Sequence, residues 1–415
     1  MASVTSSPGR TAIAPRTWAA IFTVYAGAFL QGFTLVSFPA SSTVLVTAHG
    51  FSEAQYGTIF LPQVAFAVAG AVAGGALARR FGLKALLVAG LASNALSQAA
   101  LAATVWLGPQ AAFTAVLTGT ACMGLGFGLL GAPLNGYPGQ FFPRAPGSAI
   151  VAVHTMVGAG LAVGPLLAGY FISHWGWLGF PATLLAGVVA LTLLAAALAF
   201  PAAAVAGDAT AAPQTGNARR SAGFWLLLAI AVLYAFAEGT FSNWAVLFLR
   251  DTKGLPEMTA ALGLSMFWAA LVGGRLLVSV MLVRVAPERI WIALPVIMIV
   301  AFELLPLGDS PATGIGLFAL AGLGCSAFFP LTVALAQSRH PGEGAWVGSM
   351  LIAALMIGVG LGSFIIGPLR EWLALERLYQ LSALYPALVL VLGALALRPT
   401  AHKRTTGIPA HGSLS

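Results

Sequence analysis

The stretch LYAFAEGTFSNWAVLFL, residues 233–249, carries one carboxylate, Glu238, and no other charged side chain. It is apolar enough to cross a bilayer as part of a helix, because about 20 helical residues span a hydrocarbon core of roughly 30 Å. A carboxylate in such a run is costly unless it is neutralised, paired or hydrated. The stretch therefore predicts a membrane-spanning helix with a functional group near its middle.

Composition extends this prediction to the whole chain. Of the 415 residues, 59% are hydrophobic and 7% are charged, and the mean hydropathy is +0.93. A soluble domain has about a quarter of its residues charged, so most of this surface must face lipid. The net charge of +8 comes from basic residues scattered through short connectors, which argues against nucleic acid as a partner. We expect an all-α integral membrane protein.

Twelve segments are long enough to be membrane spans, and they form two halves of six. The predicted spans cover residues 18–47, 56–78, 84–106, 110–141, 148–173, 178–200, 223–249, 258–283, 289–308, 312–337, 345–369 and 378–397. The predicted organisation is an N-terminal tail (1–17), a six-helix half (18–200), a linker (201–222), a second six-helix half (223–397) and a C-terminal tail (398–415). The linker is rich in Ala, Pro, Gly and Thr, which is typical of a flexible connection.

The Lys and Arg residues predict the orientation of these spans. With both termini cytoplasmic, fourteen of the nineteen lie in inner connectors and tails, four lie in outer connectors, and Arg275 lies within a span. Because basic residues are enriched in cytoplasmic loops, we expect cytoplasmic termini in a bacterial-type inner (plasma) membrane.

The two halves repeat each other in sequence. Three pairs align at offsets between 203 and 207: Gln31 with Glu238, Arg80 with Arg284, and Pro165 with Pro368. Parallel repeats of this kind are typical of secondary transporters. We therefore expect two pseudo-symmetric six-helix halves.

The connector GGALARRFGLK, residues 74–84, resembles the loop Gly-x-x-x-Asp-Arg-x-Gly-Arg-Arg that follows the second span in the major facilitator superfamily. Four residues fit that pattern: Gly75, Arg80, Gly82 and Lys84. Arg79 stands where the family has Asp. The resemblance extends over residues 18–397, and it implies the twelve-helix fold of that superfamily and transport by alternating access.

Two further motifs concern helix packing. GAGLAVGPLLAG, residues 158–169, is similar to a Gly-x-x-x-Gly-Pro motif of exporters in that superfamily, and GVGLGSFIIGPL, residues 358–369, repeats it. Small residues at four-residue spacing let helices approach closely, and a proline bends a helix. Together with the connector, these motifs predict the packing and gating residues Gly75, Arg80, Gly82, Gly160, Gly164, Pro165, Gly367 and Pro368.

The opening stretch and two later stretches resemble the fucose-permease-like sugar:proton symporters. The matching parts are Tyr234, Glu238 and Asn243-Trp244 in span seven, FWAALVGGRLL (267–277) in span eight, and GLGCSAFFPL (322–331) in span ten. This resemblance implies proton-coupled sugar uptake. Those symporters carry further carboxylates in spans one and four, where this chain has Gln31 and Asn135.

Glu238 is the predicted proton site. It lies about fifteen residues, or about 22 Å, from the cytoplasmic end of its span and hence near the midplane. A carboxyl there can exchange a proton as water access alternates between the two sides. On a helix Glu238 shares a face with Tyr234, whereas Asn243 and Trp244 join that face only if the helix loosens at Gly239-Thr240.

Polar residues deep in the spans are candidates for solute binding, because lipid-facing positions tolerate only apolar side chains. The predicted binding residues are Tyr25, Gln31, Gln63, Asn135, His154, Tyr234, Asn243, Trp244 and Arg275, with Asn94, Tyr137 and Gln337 as further hydrogen-bonding candidates. His154 can also be interpreted as a helix-packing residue, and Arg275 can be interpreted as part of an inner gate. Glu53 and Glu303 are expected to be solvated surface residues.

The sequence offers no basis for enzymatic chemistry. It shows no phosphate-binding loop, no metal-ligand cluster and no nucleophile with a base at motif spacing. Cys122 and Cys325 lie far apart in apolar runs, which predicts neither a disulfide nor a metal site. We therefore expect no enzyme and no cofactor or metal, with a proton gradient as the energy source.

The leading hypothesis is proton-coupled uptake of a small polar organic solute, such as a sugar or a related metabolite, by a monomer in the lipid bilayer. One alternative is proton-driven export of an amphipathic or drug-like compound, which the motif of residues 158–169 and the ten tryptophans favour. A second alternative is a non-transporting membrane sensor or scaffold.

Overall fold

The computed structural model describes residues 15–201, 218–308 and 310–397. These ranges form helices and contain no strand, which confirms the predicted all-α class. Residues 1–14 of the predicted N-terminal tail, residues 202–217 of the predicted linker and the whole predicted C-terminal tail, 398–415, lie outside the described residues.

The first half contains six helices. They are α1 (Pro15–Ala40), α2 (Glu53–Thr58), α3 (Phe60–Ala103), α4 (Pro109–Phe141), α5 (Pro146–His174) and α6 (Gly179–Ala197). A π turn, Val44–Ala48, follows α1 and completes the first predicted span.

The second half contains nine helices, several of which are segments of one crossing. They are α7 (Ala222–Asn243), α8 (Ala245–Leu247), α9 (Glu257–Met281), α10 (Pro287–Leu304), α11 (Pro311–Cys325), α12 (Phe328–Arg339), α13 (Gly344–Leu369), α14 (Leu375–Ser382) and α15 (Leu384–Ala396).

Eleven helical stretches among the described residues are long and apolar enough to cross a bilayer. One of them, Glu53–Trp106, has 54 residues, more than double what one crossing needs. Gly82 within it has φ 82° and ψ 162°, so the chain turns there. Gly70 and Gly90, on opposite sides of the turn, both lie against residues 125–130 of α4. The stretch is therefore a hairpin of two spans, and the described residues form the twelve crossings that were predicted.

Span seven does not loosen at Gly239-Thr240, which is the change that would have brought Asn243 and Trp244 onto the face of Glu238. Helix α7 runs without interruption through Gly239 and breaks at Trp244, whose φ and ψ are −107° and 0°. Gly239 is needed for close packing instead, because a Cβ there would lie 2.5 Å from the carbonyl oxygen of Val359 on α13. The helix therefore breaks at Trp244 and not at Gly239-Thr240.

The two halves meet along two sets of helices, α5 with α9 and α13 with α2 and α3. Because each half crosses an even number of times, residues 15, 201, 218 and 397 lie on one side, which we call the linker side. The opposite side is called the far side. Three polar side-chain contacts join the halves at the far side: Glu53 with Arg370, Thr43 with Glu257, and Tyr56 with the backbone carbonyl of Asn243.

The expectation that Glu53 is a solvated surface residue is wrong. Arg370 Nη2 donates to Glu53 Oε1 at 2.8 Å, and Arg370 Nε contacts the other carboxylate oxygen. The Glu53 side chain is 33% exposed and the Arg370 side chain is 23% exposed, so each is mostly shielded from water. Their positions are 317 residues apart in the chain, which is why the sequence did not show the ion pair. Glu303 is exposed, as expected.

Candidate functional site

The tenth crossing is broken at its middle, between α11 and α12, and a proline accounts for the break. Pro330 has no N–H, so the carbonyl of Ser326, four residues earlier, lacks its helical donor. Arg275 Nε on α9 donates to this carbonyl at 3.0 Å. A side chain from a neighbouring helix thus replaces the missing backbone hydrogen bond.

Tyr234 on α7 links the same break to Glu238. Its hydroxyl oxygen lies 2.8 Å from the carbonyl oxygen of Cys325, at the end of α11, and it contacts Glu238 Oε2. The Tyr234 side chain is 1% exposed, and its ring stacks on Phe328 with a centroid distance of 5.1 Å. The hydroxyl is therefore held in place between the carboxyl group and the broken helix.

A tyrosine hydroxyl has one hydrogen, so it donates to one of these two acceptors at a time. Both contacts are hydrogen bonds only when Glu238 carries a proton and donates to Tyr234, which in turn donates to Cys325. Loss of the proton would turn the tyrosine hydrogen towards Glu238 and leave this contact of the Cys325 carbonyl without a donor. The protonation of Glu238 is therefore coupled to the hydrogen bonding of the broken helix.

Glu238 and the broken helix both lie at the centre of the membrane. Glu238 is 16 residues after Ala222, the first residue of α7, and 14 residues before Thr252, the last residue of the π turn (Phe248–Thr252) that ends this crossing. Cys325 is the last residue of the 15-residue α11, and the 12-residue α12 completes the crossing. Solute and ion sites of secondary transporters are commonly built at this depth from discontinuous helices.

Residues of the first half face Arg275 across the boundary between the halves. Gly158 on α5 lies opposite Val272 on α9, since a Cβ at Gly158 would be 2.5 Å from Val272 Cγ2. The next turn towards the linker side on each helix carries His154 and Arg275. His154 Nε2 lies 3.1 Å from Asn135 Oδ1 on α4.

These contacts bring together five of the residues predicted from the sequence. The central cluster consists of Tyr234, Glu238, Arg275, His154 and Asn135. Arg275, His154 and Asn135 are exposed, Glu238 is partly buried and Tyr234 is buried. An exposed arginine at this depth must face water rather than lipid, because a charge in hydrocarbon is too costly. The cluster therefore lines a wet space between the halves.

Three predicted binding residues of the first half lie apart from the central cluster. Gln31 is 1% exposed and accepts a hydrogen bond of 2.7 Å from Asn94 Nδ2, within the first half. The Tyr25 hydroxyl donates to the carbonyl of Ala149 at 3.0 Å. Gln63 is half-buried on α3, where its backbone oxygen would meet a Cβ placed on Gly124 of α4.

Asn243 and Trp244 belong to the closed far side. Asn243 Nδ2 donates to Ser363 Oγ at 2.7 Å, and Trp244 Nε1 donates to the Ser363 carbonyl at 3.0 Å. Both side chains are buried, and the Trp244 ring packs edge-on against Tyr56 of the other half at 5.0 Å. In this conformation they close the path rather than line the wet space.

The predicted packing glycines differ in what they contact. A Cβ at Gly160 would overlap the carbonyl oxygen of Phe29 on α1, whereas a Cβ at Gly164 would meet the side chain of Val36. Gly367 packs against α2 of the other half, where a Cβ would be 2.7 Å from the Glu53 carbonyl oxygen. Pro165 and Pro368 lie inside the helices that these glycines belong to, α5 and α13.

The connector residues lie at the turn between the two spans of α3. Gly82 has the positive φ that the turn requires. The guanidinium of Arg80 lies 5.0 Å from the ring centre of Phe81. No neighbouring helix packs closely on Gly75, since the nearest atom to a Cβ there would be Arg79 Nη1 at 4.0 Å.

Within the described residues, no group of three or more His, Cys, Asp and Glu side chains is placed to hold a metal ion. Cys122 and Cys325 are free thiols. A cavity of about 570 Å³ lies between α1, α5 and α6. Its lining includes Phe22, Tyr25 and Met156 and no residue of the central cluster.

The sequence reasoning missed the backbone part of this site. The carbonyl of Cys325 accepts a hydrogen bond from Tyr234, and the carbonyl of Ser326 accepts one from Arg275. These acceptors are backbone groups, so no residue type in the sequence marks them. Pro330 was the available signal, because a proline inside a membrane span frees the carbonyl four residues earlier.

Comparisons with known proteins agree with this architecture. The model of the family described as Major Facilitator Superfamily matches residues 17–345. An uncharacterized transporter of Sinorhizobium fredii (strain NBRC 101917 / NGR234), y4wD, is 31% identical over 182 residues, which are 41% of this chain and 46% of that relative. The match thus spans less than half the length of the relative.

Three solved structures have a similar fold at 15% sequence identity. A bacterial homolog of the human lysosomal transporter Spinster, in an inward-facing and occupied conformation, has a TM-score of 0.75 over 93% of this chain and 97% of that chain. A D-xylose-proton symporter has a TM-score of 0.72 over 92% and 97%. The nucleoside transporter NupG has a TM-score of 0.70 over 93% and 100%. At this identity the likeness concerns the fold alone, and the fucose-permease-like subtype stays a prediction.

Proposed function

This chain belongs to the major facilitator superfamily, a family of transporters rather than enzymes, and we propose that it takes up a small polar organic solute together with a proton. The mechanism is alternating access, in which the two halves open the wet space to one side and then to the other. The observation that carries the proposal is the contact of Glu238 with Tyr234 at mid-membrane, beside the broken helix.

Glu238 is close enough to the wet space to exchange a proton, and Tyr234 connects it to the broken helix. Glu238 is partly buried and lies beside the exposed Arg275. Its proton decides whether Tyr234 donates to the carboxylate or to the Cys325 carbonyl. A proton that arrives from one side and leaves to the other therefore changes the hydrogen bonding of the tenth crossing, and this change drives the conformational cycle.

The linker side is the cytoplasmic side in this proposal. Described basic residues at the linker side include Arg79, Arg80, Lys84, Arg144, Arg219, Arg284, Arg289 and Arg339, whereas those at the far side are Arg250, Lys253, Arg370 and Arg377. Basic residues favour the cytoplasmic side of a bilayer. The far-side contacts then close the outer face, and the central cluster faces the cytoplasm.

The test is proton-driven uptake by the purified protein in liposomes. We expect Glu238→Gln to abolish accumulation under an inward proton gradient and to retain exchange of solute at equal concentrations, because the neutral amide mimics the protonated carboxyl. Glu303→Gln, a matched change at an exposed position on α10, should leave both activities unchanged. Unchanged accumulation in Glu238→Gln would contradict the proton site.

The apolar cavity between α1, α5 and α6 favours one other candidate, proton-driven export of an amphipathic compound. The two candidates differ in direction. An exporter would lose a preloaded compound as protons move the opposite way, whereas the proposed symporter would concentrate a solute in the direction of proton movement. Uptake is preferred because that cavity does not reach Glu238, the residue to which coupling is assigned.

A further inference from the structure

The charge of Arg275 is uncompensated in the central cluster when Glu238 is protonated. The ion pairs of Arg250 with Glu257 and of Arg370 with Glu53 lie at the far side, and Arg275 forms no ion pair among the described residues. Its Nε is taken by the Ser326 carbonyl, so the Nη edge of the guanidinium remains for another partner.

The neighbours of Arg275 do not neutralise it. His154 contributes either no charge or a second positive charge, and its Nε2 faces Asn135 Oδ1. Glu238 is the one nearby carboxyl in the cluster, and the double contact of Tyr234 is satisfied when that carboxyl is protonated. The wet space then carries a net positive charge at mid-membrane, which favours the entry of an anion.

We propose that the transported solute is a small organic monoanion whose carboxylate binds the Nη edge of Arg275 beside His154, and that it binds only when Glu238 is protonated. This inference rests on the proton-coupled transport proposed above. A guanidinium edge matches a carboxylate through two parallel hydrogen bonds, and such charge-assisted bonds are the strongest that side chains form. On the opposite wall, Asn135 Nδ2 donates one hydrogen to the Gly131 carbonyl at 2.8 Å and has a second amide hydrogen for the solute.

The same charges explain why one proton accompanies one anion. With Glu238 ionised, its negative charge already compensates Arg275, and a second carboxylate in the cluster would be repelled. With Glu238 protonated, the anion takes over the compensation. Proton and anion therefore bind together or not at all, and one cycle moves no net charge.

Binding is tested with matched pairs of compounds on the purified full chain in detergent. Each pair is a monocarboxylate and its uncharged carboxamide: lactate and lactamide, benzoate and benzamide, phenylacetate and phenylacetamide. We expect at least one carboxylate, and none of the amides, to raise the Tm, with a larger shift at pH 5.5 than at pH 8. Stabilisation by amides or neutral sugars alone, or by no monocarboxylate, would overturn the inference.

Variants then assign the binding to Arg275. In Arg275→Gln the affinity for the carboxylate should fall by about 10-fold or more, the loss typical of a bidentate charged contact. Arg289→Gln, the same change at an exposed position on α10, should keep the affinity within about 2-fold. If Arg275→Gln does not fold, Arg275→Lys keeps the charge and should bind the carboxylate more weakly than the wild type. Undiminished affinity in the folded Arg275 variant would overturn the assignment.

Transport separates this inference from the proposed function. A potential of 100 mV changes the accumulation of a neutral solute carried with one proton by about 50-fold, whereas it leaves that of a monoanion carried with one proton unchanged. A carboxylate that binds through Arg275 but is not accumulated by a proton gradient would refute the coupling and keep the anion site. A neutral solute accumulated with a proton would keep the coupling and refute the anion site.

Discussion

Gly367→Ala should open the far side of the protein. Gly367 on α13 packs against α2 of the other half, and a Cβ there would be 2.7 Å from the Glu53 carbonyl oxygen and 3.1 Å from the Cα atoms of Ala54 and Gly57. These are backbone atoms, so no rotation of a side chain relieves the overlap. The halves must separate at this point, which favours the conformation that is open at the far side.

The expected size of this effect is comparable with that of the neighbouring ion pair. Overpacking by one methyl group costs about 1–3 kcal/mol, which shifts a two-state equilibrium by roughly 5- to 150-fold. Glu53 is 33% exposed and Arg370 is 23% exposed, so removing one partner leaves a partly shielded charge unpaired, at a cost of about 1–3 kcal/mol. We therefore expect Gly367→Ala and Arg370→Gln each to open the far side by a similar factor.

The assay is the rate at which a maleimide labels a reporter cysteine. Ala245→Cys is suitable, because Ala245 is 0% exposed on α8, which contacts α1 of the other half at the far side. The background replaces Cys122 and Cys325 with alanine, since both are free thiols. The matched control is Gly316→Ala on α11, where a Cβ would have no neighbour within 4 Å.

Faster labelling in Gly367→Ala, with the wild-type rate in Gly316→Ala, would support the steric account. Labelling of Gly367→Ala at the wild-type rate would refute it, because the far side would then tolerate an atom that the closed contact excludes. Labelling of Arg370→Gln at the wild-type rate would contradict the contribution that is assigned to the ion pair of Glu53 with Arg370.

Three further predictions concern the helices around the site. Pro330→Ala restores a helical N–H donor to the Ser326 carbonyl, to which Arg275 donates. The double variant Pro330→Ala/Arg275→Gln should therefore have a higher Tm than Arg275→Gln alone, and equal Tm values for these two variants would contradict the prediction. Tyr234→Phe leaves two buried groups without their partner and should cost about 1–3 kcal/mol in thermal unfolding, more than Tyr25→Phe, which loses one bond. Gly160→Val should prevent recovery of monodisperse protein, because its side chain would overlap the backbone of α1.

The local part of the site was predictable from the sequence. Tyr234 and Glu238 are four residues apart on α7, and helix geometry places such residues on one face. The placement of His154 opposite Arg275 was not predictable, because it depends on how α5 and α9 are rotated about their axes where they pack at Gly158 and Val272. Asn243 was predicted to bind the solute, but α7 breaks next to it at Trp244 and its side chain donates to Ser363 instead.

The sequence by itself determined the twelve crossings, the two halves and the single carboxylate at mid-membrane. Lipid offers no hydrogen bonds to the backbone, so each crossing must be a long apolar helix, and that requirement is visible residue by residue. The tertiary structure decided which polar groups meet. The ion pair of Glu53 with Arg370 and the support of the Ser326 carbonyl by Arg275 join residues distant in the chain. Such contacts follow from helix rotation and packing, which hydropathy does not encode.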